Sequence, residues 1–289
     1  MNTAPKLNLL AGLDLSDMDA ILINYIRLLE QWLPPAHITF LHNIKLSELP
    51  QELKAPVQLL KIAGSIEKKL NQLITATYTP SGSFTVIVTA EEFSELAFTA
   101  VLKKTGSELV LLGNKQDLEG SGGLNQQLIR MLPAAVLLVP ETCRSMPSHI
   151  LQAIDFSRHT QSILQWGQQI NAFAPHGTIL RLTPVYVSKM SYHFFPILSD
   201  EEVAASLKKE DADNLKKWRA LFPGHGSLQL IHAHEKSIAA TLLQYAINVH
   251  ADVIILGVKG TASLTNLFMG SVANEMVQRE TEVCLLLVK

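Results

Sequence analysis

The sequence holds only two cysteines, Cys143 and Cys284, one in each half. Thiols so far apart in the chain lay down no disulfide framework and supply no spaced set of metal ligands; they fit a reducing, cytoplasmic setting. Charge of either sign is nearly balanced: 24 Lys and Arg against 26 Asp and Glu leave a formal net charge of −2. No global basic field therefore recruits nucleic acid or an anionic membrane surface. The stretch Met1 to Leu10 is too short and polar for a signal-peptide core. The longest apolar run, Ile238 to Val258, is broken by Gln244, Asn248, His250 and Asp252. It reads as a buried helix, a turn and a strand rather than a membrane span. No low-complexity tract occurs, and no G-K-[ST] phosphate loop.

Apolar material, by contrast, is plentiful. Hydrophobic residues make up 47% of the 289 and charged ones 17%, which supports sizeable cores rather than disorder. At roughly 100 to 200 residues per domain, two domains are expected. The chain also repeats itself. Leu9–Ser16 reads LLAGLDLS and Ile150–Ser157 reads ILQAIDFS; Glu108–Lys115 reads ELVLLGNK and Asp252–Lys259 reads DVIILGVK; Ala135–Val139 reads AVLLV and Cys284–Val288 reads CLLLV. Three matched segments in one order mark two similar units, with the boundary in the polar stretch Pro140–Ser148.

Short continuous apolar strands alternate with helical patterns in each unit. The second unit predicts strands near 150–154, 178–187, 227–232, 253–257 and 283–288, with helices near 160–173, 200–221, 237–250 and 271–280. Strands of this kind are buried on both faces of a parallel sheet. The expected fold is therefore α/β: two tandem doubly wound parallel-sheet domains, Rossmann-like, over residues 1–143 and 147–289. In such sheets ligands bind beyond the carboxyl ends of the strands, at the topological switch point.

Val253–Gln278 carries the chemistry. A strand ends at Gly257, Gly260 follows, and nine residues later Gly270-Ser271 opens a helix. Glycines at a strand end let backbone approach a ligand without Cβ interference. A helix start with its N–H groups and a hydroxyl is a ready anion site. The spacing G-x2-G-x9-G-S resembles the nucleotide-binding motif of the universal stress protein family, and with the Asp-x-Ser after the first strand and the last apolar strand the resemblance spans essentially the whole chain. It implies a nucleotide-binding α-hydrolase-like architecture and roles by position. Asp155 would contact the adenosine moiety; Ala153 and Val185 would line the base pocket; Leu256 and Gly257 would flank base and ribose; Gly260, Gly270, Ser271 and Val272 would wrap ribose and phosphates. The nine-residue loop lacks Lys and Arg, a departure from many members, so Lys259 is the nearby cation in sequence.

The first unit departs further. Gln116 stands where Gly260 does, Asp117 and Glu119 lie where phosphates would be, and Leu124 replaces the hydroxyl. Like charges repel phosphate, so this unit is expected to be mainly structural, with Asp14 and Ser16 capping the next helix and Lys115 a solvated loop cation; another ligand in a remodelled pocket is the alternative. His232 and His234 lack a third metal ligand. Glu210, Asp211 and Asp213, among Lys208, Lys209, Lys216 and Lys217, read as a solvated helix face. Trp32, Trp166 and Trp218 fall on helical patterns as core or interface residues. Ser157 and His159 lack a nucleophile's elbow. The flat apolar strands 135–139 and 284–288 would be sticky edges if exposed. Pairing them would make an internal pseudo-dimer, as the resemblance also implies, and leaves a homodimer and an unidentified protein partner open.

Three functions follow. The first is a cytoplasmic stress-response regulator that binds an adenine nucleotide (ATP, ADP or AMP) in the second unit, with Mg²⁺ as an optional companion. The second is a slow ATPase or a phosphoryl or adenylyl transferase. The third is a nucleotide-free interaction scaffold.

Overall fold

The computed structural model describes residues 7–80, 82–115, 123–143, 147–174, 179–189, 200–233, 235–259 and 269–289. The first half runs β1 (Asn8–Gly12), α1 (Met18–Leu29), β2 (His37–Lys45), α2 (Pro56–Thr77), β3 (Ser83–Glu91), α3 (Ser94–Thr105), β4 (Leu109–Asn114), α4 (Gly123–Met131) and β5 (Ala135–Pro140). The second runs β6 (His149–Ile154), α5 (Thr160–Ala172), β7 (Arg181–Ser188), α6 (Asp200–Leu221), β8 (Gln229–His232), α7 (Ile238–Asn248), β9 (Val253–Gly257), α8 (Ser271–Gln278) and β10 (Cys284–Val288).

All the strands join one sheet in the order β3-β2-β1-β4-β5-β10-β9-β6-β7-β8. Within each half the pairing is parallel, and between halves β10 meets β5 antiparallel, with Leu286 opposite Leu137. Every residue of these two strands is buried. Their alternation sends Leu137 and Leu286 to one face of the sheet and Val136, Leu138, Leu285 and Leu287 to the other. On the first face Ile23 and Ile26 of α1, Leu70 and Ile74 of α2, Leu164 of α5 and Trp218 of α6 complete the core. On the second, α3, α4, α7 and α8 do so. Helices on both faces of a parallel sheet explain why the inner strands β4, β5, β9 and β10 carry almost no polar residues, whereas the outer strands β2, β3, β7 and β8 carry several.

Local chemistry sets the helix ends. Pro56 opens α2, where its missing N–H costs nothing. Gly106 ends α3 at φ 61°, a left-handed cap that glycine adopts without strain. The Ser237 hydroxyl caps α7 by accepting the Ala240 N–H at 3.0 Å. Strand β7 begins at Arg181 and not near 178, and α8 stops at Gln278 because Arg279 turns extended. Trp32 lies in the turn after α1 and not on the helix, yet it is buried in the core. Among the described residues no helix is long and apolar enough to cross a membrane.

The Asp-x-Ser turns are strained, as is His250 in the turn after α7, at φ 52°. Their middle residues, Leu15 and Phe156, take φ of 66° and 55°, a region that costs bulky side chains on the order of 1 kcal/mol. In the first half the turn is held by the buried Asp19 carboxylate, which accepts the N–H groups of Asp14 and Leu15 at 2.9 Å each. Burial pushes the Asp19 carboxyl up from 3.8 to about 6, against those two donors.

Two outcomes are expected. Leu286→Ala, at the seam between the halves, should cost about 2–5 kcal/mol in urea unfolding, because it opens a cavity where the wall cannot relax. For Asp19, the folded pKa lies above the unfolded one, so folding takes up a proton. The stabilisation is complete below about pH 4 and disappears as pH rises through about 6. The stability of the protein relative to its Asp19→Asn variant, measured by urea unfolding between about pH 4 and 7, should fall with rising pH by up to about 3 kcal/mol. A pH-independent difference would contradict the assignment.

Candidate functional site

Strand order in the second half reverses at β6: the chain moves outward to β7 and β8, then returns to β9 on the other flank. This is the topological switch point, where the loops diverge and leave a crevice beyond the strand ends. A cavity of about 250 Å³ lies there. Ala153, Ile154 and Asp155 reach it from the end of β6, Val185 to Val187 from β7, Leu256, Gly257 and Lys259 from the end of β9, and Gly270 to Ala273 from the start of α8. Ile238 and Leu242 close it from α7, one turn apart.

Nine of the ten residues singled out from the sequence therefore line one cavity: Ala153, Asp155, Val185, Leu256, Gly257, Lys259, Gly270, Ser271 and Val272. The tenth, Gly260, lies outside the described residues. Sequence reasoning missed Ile154, Tyr186, Val187, Ile238, Leu242 and Ala273. Val187 had a signal, since residues two apart on a strand share a face with Val185.

The polar end of the cavity is built from backbone. Asn274 makes the first bond of α8, its N–H to the Gly270 carbonyl at 2.9 Å. The N–H groups of Ser271, Val272 and Ala273 precede that bond and carry the positive end of the helix dipole. The Gly270 N–H donates to the Val258 carbonyl at 2.7 Å, which ties the helix start to the tip of β9. A second tie runs from α7: the Ser237 hydroxyl donates to Glu275 at 2.5 Å, and Arg279 donates to the same carboxylate at 2.6 Å. The Ser237 bond and the Arg279 guanidinium hold the Glu275 carboxyl below its usual range. A Cβ on Gly257 would meet the His159 Cβ at 2.9 Å and the Lys259 carbonyl at 3.1 Å, so glycine is required there by close approach.

Asp155 is oriented by its own turn: its Oδ1 accepts the Ser157 N–H at 2.9 Å, and the Ser157 hydroxyl accepts the His159 N–H at 3.2 Å. Behind the turn the strained Phe156 packs on Tyr186 with ring centroids 5.5 Å apart, and the Lys217 ammonium sits 4.4 Å above the Phe156 ring. Lys217 is thus not part of a purely solvated face. Nor is Asp211, whose Oδ2 lies 3.2 Å from His232 Nε2. The other ring nitrogen of His232 lies 2.6 Å from the Ser188 hydroxyl. His234 falls outside the described residues, among which no cluster of three or more metal-ligating side chains occurs.

The first half has a cavity of about 260 Å³ at the matching place, lined among others by Gly12, Asp14, Met18, Gly113, Lys115 and Leu124. Its chemistry differs. Both oxygens of Asp14 are engaged, Oδ1 by the Ser16 hydroxyl at 2.6 Å and Oδ2 by the Lys115 ammonium at 2.5 Å. Burial pushes the Asp14 carboxyl up, but the Lys115 and Ser16 bonds hold it below its usual value. Lys115 is consequently a half-buried ion-pair partner, not a fully solvated loop cation. Met18 presses directly on Gly113, and apolar Leu124 occupies the helix start where Ser271 stands. Gln116, Asp117 and Glu119 lie outside the described residues.

The model of the universal stress protein family matches residues 146–288. A universal stress protein of Archaeoglobus fulgidus aligns over 99% of this chain and 99% of its own, with 16% identity and a TM-score of 0.68. A protein of Pseudomonas aeruginosa UCBPP-PA14 assigned to the same group aligns over 98% of this chain and 92% of its own, with 14% identity and a TM-score of 0.65. At such identities the likeness concerns fold, and it covers both halves. None of the curated proteins matches the chain by sequence. Residues 146–288 therefore belong to the universal stress protein family, and the tandem fold shared with the Archaeoglobus fulgidus protein runs through the whole chain.

Proposed function

We propose that the chain is a nucleotide-responsive regulatory protein that binds an adenine nucleotide in the cavity of its second half, and that its two units divide at residues 1–143 and 147–289. The observation that carries this reading is the union of an apolar slot and an anion cradle in one crevice. Ala153, Val185, Val187 and Leu256 offer a flat apolar wall suited to a purine ring. Asp155, whose turn points it into the same space, is placed to accept ribose hydroxyls. Ser271 and the first N–H groups of α8 would receive the phosphates, with Lys259 adding charge from the end of β9. Asp155 is the only carboxylate among the described lining residues. A magnesium ion would therefore take its ligands chiefly from phosphate and water, as this ion commonly does.

Binding fits this geometry better than turnover. Phosphoryl transfer needs a base or water-positioning group and a cationic clamp around the transferred group. Among the described lining residues the cation is Lys259, and Asp155 sits at the ribose end with one oxygen committed to its own turn. The first half would serve as a structural partner, since its Asp14–Lys115 pair and Leu124 replace the hydroxyl-bearing cradle.

The test is calorimetric titration of AMP, ADP and ATP, with and without Mg²⁺, into the full chain. Ser271→Ala should weaken binding roughly 10- to 150-fold, the loss of about 1.5–3 kcal/mol for one hydrogen bond to a charged group. Gly270→Val should abolish it, because a branched side chain enters the cradle. Leu124→Ala, the matching position in the first half, should change nothing. Absence of binding at millimolar nucleotide, or equal binding by folded Gly270→Val, would overturn the proposal. Release of ADP from ATP above background would shift it toward the ATPase reading.

A further inference from the structure

The two cysteines of this chain lie 141 residues apart in sequence, yet their sulfurs are 3.3 Å apart, the Cys284 thiol donating to Cys143. We infer that Cys143 and Cys284 form an oxidation site, at which the two thiols close to a disulfide that ties the connection between the halves to the start of β10.

The surroundings suit that chemistry. Cys284 is the first residue of β10, buried, and fixed by its N–H bond to the Asp252 carbonyl at 3.0 Å. Cys143 sits in the turn after β5, its N–H on the Pro140 carbonyl at 3.1 Å, and it is only half-buried. A disulfide bond is about 2.05 Å long, so the sulfurs need to approach by little more than about 1 Å. The turn carrying Cys143 lies outside the sheet and can supply that movement, whereas Cys284 cannot. The hydrogen bond to Cys143, together with burial, keeps Cys284 a thiol well above the usual cysteine range. The division of labour follows: the more accessible Cys143 meets the oxidant and Cys284 resolves the product.

With hydrogen peroxide as oxidant the step balances. The Cys143 thiolate attacks one peroxide oxygen; an S–O bond forms, the O–O bond breaks, and the departing oxygen leaves as water once protonated, giving a sulfenic acid. The Cys284 sulfur then attacks the Cys143 sulfur. The S–S bond forms, the S–O bond breaks, and the hydroxide leaves as water with the proton of the Cys284 thiol. Two thiols give up two electrons and two protons, and the peroxide is reduced to water. A dithiol reverses the reaction by exchange. The bond closes a loop that contains the second half up to the start of β10, which restricts the unfolded chain far more than the folded one.

The experiment uses the full chain, fully reduced and then exposed to hydrogen peroxide, with alkylation and peptide mass mapping under non-reducing conditions. The expected product is a monomer containing a Cys143–Cys284 cross-linked peptide, with Tm raised by roughly 5–10 °C and restored by dithiothreitol. Cys143→Ser should show neither the cross-link nor the shift. Because Cys284→Ser buries a hydroxyl and can fail to fold, the mapping of the unaltered chain carries the decision. Both thiols still open to alkylation after oxidation, Cys143 as sulfinic acid beside a reduced Cys284, or disulfides only between chains would each overturn the inference.

Discussion

Strands β5 and β10 are apolar on both faces, and each ends the run of parallel pairing in its own half. Left open, either would present unpaired backbone beside exposed leucine and valine, the most aggregation-prone surface a sheet can have. Their antiparallel pairing removes both edges at once and makes two five-stranded sheets into one. The rest of the molecule depends on that seam. It fixes the halves relative to each other, and it packs β9, whose tip carries Gly257 and Lys259, against a neighbour buried along its whole length. It also brings the segment after β5 onto the start of β10, where Cys143 meets Cys284.

The two cavities show how one architecture supports different chemistry. In both halves an Asp-x-Ser turn with a left-handed middle residue stands at the end of the central strand. In the second half the turn leaves Asp155 facing a cradle of glycine, serine and helix N–H groups. In the first the corresponding Asp14 is saturated by Ser16 and Lys115, and the cradle's hydroxyl has become Leu124. The difference needs no change of fold. A few side chains decide whether the switch point offers donors to an anion or satisfies its own groups internally.

Much of this was legible because the signals are local. Continuous apolar runs marked the strands, and the strand–helix alternation required a parallel sheet. Gly257 was legible because a close approach leaves no room for a Cβ there, and Gly270-Ser271 because small and hydroxyl-bearing residues favour a helix start. What escaped depends on contacts between distant segments. The inward pairing of Asp211 with His232 looked like a solvated charge on an acidic and basic helix face, since nothing in α6 alone indicates which side meets β8. Lys115 resembled any loop lysine until the turn after β1 placed Asp14 beside it. The cysteine pair was invisible for the same reason: only the β5–β10 register brings Cys143 and Cys284 together, and sequence separation argued against it.

The central claim is that one crevice of the two, at the β6–β9 switch point, is equipped for a phosphorylated adenosine. A crystal structure of the chain grown with ADP tests it most directly. The account predicts density for one nucleotide per chain, with the base against Val185 and Leu256 and the phosphates on the N–H groups of Ser271 and Val272. Nucleotide in the Asp14–Lys115 cavity instead, or the second-half crevice filled by the protein's own side chains at millimolar ADP, would contradict it.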